Sequence, residues 1–481
     1  MRGRVIAGVL TPILVLAGAA GYLAADAADL VPGWITTSPE PVAPAPFLTA
    51  EPVEASAAPG TELAPLFDPG APLPDAARIQ ALAQALRDDP RTGPSTNVSV
   101  IDLITGQTLA DLDADDGQVP ASTTKLLTTI GVVAKLGPDH RLSTVARYDA
   151  ARGEVALVAG GDMLLAADKG VPKTPDPGDT RTAAERAVGY AGLGDLADQV
   201  AAGLIQRGVT SVTVVADTSA FPGPAYPIEW PAYALQQGYA APVTGLAIDV
   251  GKKNLDEEYP QRWADPAANA ADEFAARLAE RGITATRGKA RVGATGDDVG
   301  RVESAPLSDV VAYMLHHSDN TVAEDLSRVL AIETGVPATP QHSMAAITAS
   351  LVALGVDTSG LQLYDGAGFS TRNRIPPRVL TQAIRAAVQA GPTHDLLGWL
   401  AEAGLTGTLQ NRFTSSPGTG VVRAKTGSLT GVTALAGVVI TADGRPLAFA
   451  ALIDGMPYGP ERPQAAIDEF ADGLAQCGCQ P

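Results

Sequence analysis

The stretch Pro120-Ala121-Ser122-Thr123-Thr124-Lys125-Leu126-Leu127 (PASTTKLL, residues 120–127) marks the point where a loop becomes a helix. Pro and Ser are typical of helix starts, and apolar residues then recur at helical spacing until Gly137-Pro138 ends the pattern. Residues three apart on a helix share one face. The spacing therefore predicts that Ser122 Oγ and Lys125 Nζ lie within hydrogen-bonding reach, beside the partial positive charge of a helix N-terminus.

A serine and a lysine paired in this way are suited to nucleophilic catalysis. A free lysine amine has a pKa of about 10.4, and lowering it by about 3 units costs roughly 4 kcal/mol. A second cation about 5 Å away supplies about 3 kcal/mol at an effective dielectric near 20. Lys425 is the candidate for that cation, and burial is a source for the remainder. We therefore expect Ser122 to be a nucleophile and Lys125 its base.

Two further motifs follow the first in order, and the trio is known from class A β-lactamases and penicillin-binding proteins. Ser318-Asp319-Asn320 separates two amphipathic helical stretches, and Lys425-Thr426-Gly427 lies in a predicted edge strand. Ser95-Thr96-Asn97 also matches the second pattern, but it lies upstream of the nucleophile in a predicted strand. The trio predicts one acyl-transfer site assembled from three distant segments.

Each motif residue has an expected role. Ser318 would relay a proton between Lys125 and a leaving amine, and Asn320 would hold a substrate amide or Lys125. Lys425 and Thr426 would bind a substrate carboxylate, while Gly427 would leave room for an extended peptide along the strand. The backbone N–H groups of Ser122 and Ser428 would form an oxyanion hole.

The motifs also have purely structural interpretations. Ser122 and Ser318 suit helix caps, and Lys425-Thr426-Gly427 suits an ordinary strand end. The three motifs in order, each in its predicted loop–helix or strand context, favour catalysis over these alternatives.

Composition excludes some functions. The 481 residues carry a net charge of −19 and have a pI near 4.6, which argues against a nucleic-acid partner. With five histidines and two cysteines, no zinc set is expected. Cys477 and Cys479 are expected to form a local bridge or to remain free thiols.

The N-terminal segment resembles an export signal. Arg2 and Arg4 precede an uncharged apolar stretch at residues 5–25, and Ala25-Asp26-Ala27 offers a cleavage site. The stretch suits a cleaved signal peptide and a retained membrane anchor equally well. Either one places the rest of the chain outside the cytoplasm.

The chain divides into five expected segments. Residues 1–28 form the signal or anchor, and residues 29–76 form an extended Pro- and Ala-rich linker. Residues 77–145 and 303–481 build one α/β (α+β) domain, an antiparallel sheet flanked by helices. Residues 146–302 form an inserted αβ module, expected to lie away from the chemistry.

These motifs resemble the D-alanyl-D-alanine carboxypeptidase/endopeptidase family, which are low-molecular-mass, class C penicillin-binding proteins with a large insertion between the first two motifs. Here 196 residues separate Ser122 from Ser318, and 107 separate Ser318 from Lys425. Further similar stretches are Gly160-Gly161-Asp162, Asp365-Gly366-Ala367-Gly368 and Gly407-Thr408-Leu409. The resemblance covers residues 77–481 and implies the penicillin-binding/β-lactamase-like serine transpeptidase fold.

The resemblance implies hydrolysis of the terminal D-Ala-D-Ala bond of peptidoglycan stem peptides, or of D-amino-acid cross-links, through an acyl-enzyme on Ser122. It also implies covalent capture by β-lactams, location in the cell envelope and no cofactor or metal. Asp365 and Gly366 would line the substrate cleft. Asp162 would recognise a free amino group of the stem peptide or form a local turn. The alternatives are a β-lactamase or D-amino-acid esterase with the same trio, and an inactive wall-binding scaffold.

Overall fold

A six-stranded antiparallel sheet organises the computed structural model, which describes residues 67–173, 179–254, 257, 259–389, 391–456 and 463–478. The predicted antiparallel sheet flanked by helices is confirmed. Its strands stand in the order β10-β11-β12-β13-β1-β2. All strands of the described residues are β1 Ser95–Asp102, β2 Thr108–Leu112, β3 Ser143–Asp149, β4 Glu154–Val158, β5 Asp162–Leu165, β6 Ser211–Asp217, β7 Leu246–Ile248, β8 Thr284–Arg287, β9 Asp297–Glu303, β10 Ala401–Glu402, β11 Val422–Leu429, β12 Val432–Ile440 and β13 Pro446–Asp454.

Helices cover both faces of this sheet. The α-helices are α1 Ala76–Asp88, α2 Thr124–Leu136, α3 Ala183–Ala187, α4 Leu193–Gln206, α5 Tyr233–Gln236, α6 Pro266–Glu280, α7 Leu307–His317, α8 Asn320–Glu333, α9 Pro340–Ala353, α10 Pro377–Gln389, α11 Leu396–Trp399 and α12 Pro463–Ala475. Short 3-10 turns cover Ala121–Thr123, Asp249–Gly251, Gly391–Thr393 and Gly407–Leu409. Helices α1 and α12 pack on one face of the sheet, and α2 and α10 belong to the core on the other face.

Strand β13 shows why the sheet is buried on both sides. Its large side chains Leu447, Phe449 and Ile453 share a core with α1 and α12, and Phe449 meets Phe470 with ring centroids 6.4 Å apart. The alternate positions, mainly alanine, face the other helix layer. Burying each large apolar side chain contributes about 1.5–3 kcal/mol. Small residues on the opposite face let that layer approach closely.

The insertion forms a second sheet. Its order is β8-β6-β4-β3-β9, with β4, β6 and β8 parallel and β3 antiparallel to both of its neighbours. The predicted boundaries at residues 146 and 302 fall inside β3 and β9, which are the first and last strands of the insertion in chain order. Strands β5 and β7 pair separately.

The folded body begins earlier than expected. Arg445, which is buried and paired with Asp102, donates to the carbonyl oxygens of Pro69 at 3.2 Å and Ala71 at 2.7 Å. The expectation of an extended linker as far as residue 76 is therefore wrong for residues 67–75. A buried arginine needs acceptors, and these two carbonyl groups supply them.

Other expectations fall outside the described residues. These are the signal or anchor at 1–28, the linker at 29–66 and Cys479. Cys477 is described and buried. Among the described helices, none has both the length and the apolar character required to cross a bilayer.

Candidate active site

The turn that carries Ser122 is held in a constrained conformation. Ala121, directly before Ser122, has a φ of 45°. A left-handed conformation costs a residue with a side chain roughly 1–2 kcal/mol. Two hydroxyl groups fix the turn: Thr123 Oγ1 donates to Pro120 O at 2.7 Å, and Thr124 Oγ1 donates to Ala121 O at 3.0 Å. Ser122 therefore stays partly exposed at a fixed position.

Lys125 is fully buried and has three partners. Its Nζ lies 2.9 Å from Ser122 Oγ, 2.8 Å from Asn320 Oδ1 and 2.7 Å from Ala367 O. A neutral amine has two N–H donors and one lone pair. Because Asn320 Oδ1 and Ala367 O can only accept, they take both N–H groups. The lone pair then points at Ser122 Oγ, which is the orientation a general base requires.

The pKa of Lys125 suits this role. Burial lowers it from 10.5 to about 7, although the carboxylates of Asp365 and Asp319 act in the opposite direction. The expectation that Lys425 supplies most of the shift is wrong, because burial is the main cause. Lys425 is itself fully buried, and burial followed by repulsion from Lys125 holds its pKa well below the usual value.

The second motif forms the junction between α7 and α8. Ser318 ends α7 with a φ of 53°, and Asp319 caps α8 by accepting from the N–H groups of Thr321 and Val322. This sharp turn places Asn320 against Lys125. The hydrogen bonds between described residues do not include one from Ser318 Oγ to the Ser122–Lys125 pair. The relay role of Ser318 therefore stays a prediction.

The insertion contributes directly to the site. Asn320 Nδ2 donates to the backbone oxygen of Tyr239 at 3.0 Å, and Ala241 N donates to Thr321 Oγ1 at 2.8 Å. The expectation that residues 146–302 lie away from the chemistry is therefore wrong. Tyr239 fixes the amide of Asn320 so that Oδ1 faces Lys125. Sequence reasoning missed Tyr239, because its contribution is a backbone carbonyl, which carries no residue signature.

The third motif lies on β11. Lys425 Nζ donates to Thr426 O at 3.0 Å and to Thr426 Oγ1 at 3.3 Å, and Thr426 Oγ1 donates to Thr408 Oγ1 at 3.0 Å. Strand β11 was expected at the edge of the sheet, but β10 lies outside it. Since β10 pairs only with Arg423 and Ala424, the ladder leaves residues 425–429 unpaired on that side. Ser428 is exposed there.

Gly427 packs against the turn that carries Ser122. A Cβ at this position would lie 2.7 Å from Pro120 O and 3.2 Å from Ala121 Cβ. Glycine therefore lets β11 pack directly against the turn that carries Ser122. This contact is one reason for glycine at position 427, and room for a peptide along the strand stays a prediction.

The loop at residues 365–370 is structural. Asp365 is fully buried, and its carboxylate accepts four backbone N–H groups: Ala367 at 2.9 Å, Gly368 at 2.5 Å, Phe369 at 3.1 Å and Ser370 at 2.5 Å. Gly366 is also buried. The expectation that Asp365 and Gly366 contact substrate is wrong, because they shape the loop that presents Ala367 O to Lys125.

Asp162 belongs to a local turn. Its side chain is buried and accepts from Leu164 N at 2.9 Å, and burial raises its pKa to about 7. This favours the turn-forming interpretation over recognition of an amino group. Within the described parts of the chain, no group of three His, Cys, Asp or Glu side chains is arranged to hold a metal.

The fold, together with the hydrogen-bonded Ser122–Lys125 pair, is that of a serine acyl-transfer enzyme. The family model described as "D-Ala-D-Ala carboxypeptidase 3 (S13) family" matches residues 78–262 and 257–477. "Carboxypeptidase DacB" of Mycolicibacterium smegmatis is 34% identical over 464 residues, covering 94% of each chain. "D-alanyl-D-alanine carboxypeptidase" of an Actinomadura species is 30% identical over 459 residues, covering 82% of this chain and 83% of the relative.

A solved structure shows the same fold. Penicillin binding protein 4 (dacB) of Haemophilus influenzae superposes with a TM-score of 0.64 at 21% identity, covering 82% of this chain and 98% of that chain. The chain belongs to the D-Ala-D-Ala carboxypeptidase 3 (S13) family. It is a serine-type hydrolase of the D-Ala-D-Ala carboxypeptidase/endopeptidase type. The predicted family, fold and enzyme class are confirmed.

Proposed function

We propose that this chain hydrolyses D-Ala-D-Ala-terminated stem peptides of peptidoglycan through an acyl-enzyme on Ser122, with Lys125 as the base. The observation that carries the proposal is the arrangement at Lys125 Nζ: two pure acceptors, Asn320 Oδ1 and Ala367 O, and the hydroxyl of Ser122 within 2.9 Å. A base pKa of about 7 makes roughly half of the amines neutral at pH 7, against about one in 3,000 for an ordinary lysine.

In the acylation step, Ser122 Oγ gives its proton to Lys125 Nζ and attacks the carbonyl carbon of the penultimate D-Ala. The N–H groups of Ser122 and Ser428 stabilise the oxyanion, a contribution of about 3–4 kcal/mol per donor. The C–N bond then breaks, and the leaving amine takes a proton from Lys125 through Ser318. Water hydrolyses the ester in a second cycle, with Lys125 again as the base.

Substrate recognition belongs to β11 in this proposal. Lys425 and Thr426 bind the terminal carboxylate, and the peptide extends along the unpaired edge of residues 425–429. A buried Lys425 gains proton affinity when a carboxylate arrives, so substrate binding favours its charged form. β-Lactams would acylate Ser122 by the same route. Since peptidoglycan is extracytoplasmic, we expect the enzyme to act outside the cytoplasmic membrane.

The test is release of D-alanine from purified muropeptides, measured by mass spectrometry. We expect the wild-type protein to convert pentapeptides to tetrapeptides. Release of monomers from cross-linked dimers would indicate endopeptidase action. The Ser122→Ala variant should show neither reaction. Covalent labelling by a fluorescent penicillin should be lost in the same variant. Labelling or hydrolysis that persists in Ser122→Ala would refute the assignment.

A further inference from the structure

A buried ion pair on α8 has no part in the chemistry described so far. Glu324 and Arg328 are both fully buried, and Arg328 Nε donates to Glu324 Oε1 at 3.3 Å. The guanidinium also donates to the backbone oxygens of Pro224 at 3.1 Å and Val243 at 3.5 Å, both in the insertion. Removing two charges from water costs several kcal/mol per ion. A buried ion pair is therefore weak evidence for a purely stabilising role, and the other hydrogen bonds of Glu324 become relevant.

The second carboxylate oxygen of Glu324 reaches the catalytic loop. Oε2 accepts from Gly366 N at 2.9 Å, and the neighbouring residue, Ala367, provides the carbonyl oxygen that accepts from Lys125. From the opposite side, Thr128 Oγ1 donates to Gly366 O at 2.7 Å. The two peptide groups around Gly366 are therefore held by a helix residue on each side.

Close packing makes this attachment tight. A Cβ at Gly366 would lie 2.8 Å from Ser327 Cβ and 3.1 Å from Ala323 O, so the loop lies directly against α8. Asn320 and Glu324 are four residues apart and share one face of that helix. One face of α8 therefore positions both hydrogen-bond acceptors of Lys125. Asn320 supplies one acceptor itself, and Glu324 positions the other, Ala367 O, by holding Gly366 N.

We propose that Glu324 is a positioning residue for acylation: by accepting from Gly366 N while Arg328 anchors it, it fixes Ala367 O and so directs the lone pair of Lys125 at Ser122. The inference rests on the proposed function of Lys125 as the base. Without Glu324, the loop can move and the amine can rotate, so that Nζ presents a hydrogen to Ser122 Oγ. A misplacement of about 1 Å at a reacting centre costs on the order of 10²-fold in rate.

The test separates positioning from stability. The acylation rate constant and the preceding non-covalent binding constant are measured with a fluorescent penicillin, alongside thermal unfolding, in the full chain. We expect Glu324→Ala to acylate ~10²-fold more slowly with binding changed less than threefold. Glu324→Gln keeps an acceptor for Gly366 N but leaves Arg328 without its carboxylate. It should lower the melting temperature yet acylate within about fivefold of wild type.

The matched control is Asp325, the next residue on α8, which is also a fully buried acid but lies near Gly161 and Gly245 instead of the catalytic loop. Asp325→Ala should change stability without a selective loss of acylation. If Glu324→Ala does not fold, Thr128→Val takes its place, because it removes the hydrogen bond to Gly366 O on the other side of the loop. We expect this variant to acylate about tenfold more slowly than wild type.

Two results would overturn the inference. The first is acylation by Glu324→Ala, or by Thr128→Val in its place, at the wild-type rate. The second is acylation that falls in proportion to stability across the Glu324→Ala, Glu324→Gln and Asp325→Ala variants. Failure of the proposed function looks different, because wild type itself would then not acylate or Ser122→Ala would still be labelled.

Discussion

Replacing Asp319 with asparagine should move the acid limb of acylation to lower pH. The carboxylate of Asp319 raises the pKa of Lys125, opposing the burial that brings it to about 7. Asparagine preserves the helix cap, because it is as good an N-cap as aspartate. The substitution therefore removes a charge near the base and leaves the α7–α8 junction intact.

The size of the shift follows from the geometry. Asp319 precedes Asn320, whose Oδ1 lies 2.8 Å from Lys125 Nζ. One residue of separation puts the carboxylate on the order of 7 Å from the amine. At an effective dielectric near 20 the attraction is about 2 kcal/mol. Asp319 is partly exposed, and solvent screening reduces this to ~1 kcal/mol, or roughly 0.7 pKa unit.

The sign of the effect is fixed by the protonation state that reacts. In the proposed mechanism neutral Lys125 is the base, so acylation should rise as pH increases through about 7. Removing a carboxylate destabilises the ammonium form and lowers the pKa of Lys125. At pH 6 the neutral fraction should rise from about 10% to about 30%, and acylation should be ~3-fold faster than in wild type. At pH 9 the two proteins should react at similar rates.

The assay is the rate of labelling by a fluorescent penicillin between pH 5 and pH 9. Asp265→Asn is the matched control, because Asp265 caps α6 through Ala268 N at 2.9 Å and lies in the insertion. It should reproduce the wild-type pH profile. A limb that stays in place or moves to higher pH in Asp319→Asn would refute the electrostatic account of Lys125.

Two further substitutions test the packing around the site. Gly427→Ala places a methyl group 2.7 Å from Pro120 O and should slow acylation at least ~10-fold, whereas Gly398→Ala, where the added Cβ has nothing within 4 Å, should stay within about twofold. Equal rates in the two variants would contradict the packing argument. Arg445→Met leaves the Asp102 carboxylate buried without its partner and should cost about 3–5 kcal/mol in urea unfolding, with part of the loss recovered when Asp102→Asn is added. An Arg445→Met protein as stable as wild type would show that the pair does not hold residues 67–75 against the sheet.

The sequence predicted the contact between Ser122 and Lys125 because that contact is local. Ser122 and Lys125 are three residues apart at a helix start, so helix geometry alone brings them together. The order of the three motifs similarly predicted the family and the antiparallel sheet. Each motif is short, and its side-chain chemistry is visible in the residue letters, so the family could be recognised although the motifs lie far apart in the chain.

The roles of the residues that support the site could not be predicted from the sequence, because they depend on long-range contacts. Asp365 in a glycine-rich loop reads as an exposed turn, and only the folded chain shows that four backbone N–H groups surround its carboxylate. Tyr239 acts through its backbone, which has no sequence signature. Glu324 resembles any helix carboxylate until the loop at Gly366 packs against it. Burial, which depends on distant parts of the chain, is also the main reason, rather than Lys425, that the pKa of Lys125 is lowered.

The most direct test of the central claim is to locate the acyl group itself. The protein is incubated with penicillin, digested, and sequenced by tandem mass spectrometry. The account predicts that the covalent adduct lies on Ser122, in the turn directly before the Thr124–Leu136 helix. It also predicts that Lys125→Met, which removes the base but spares the nucleophile, reduces adduct formation by ~10²–10⁴-fold. An adduct on any other residue, or unimpaired acylation without Lys125, would contradict it.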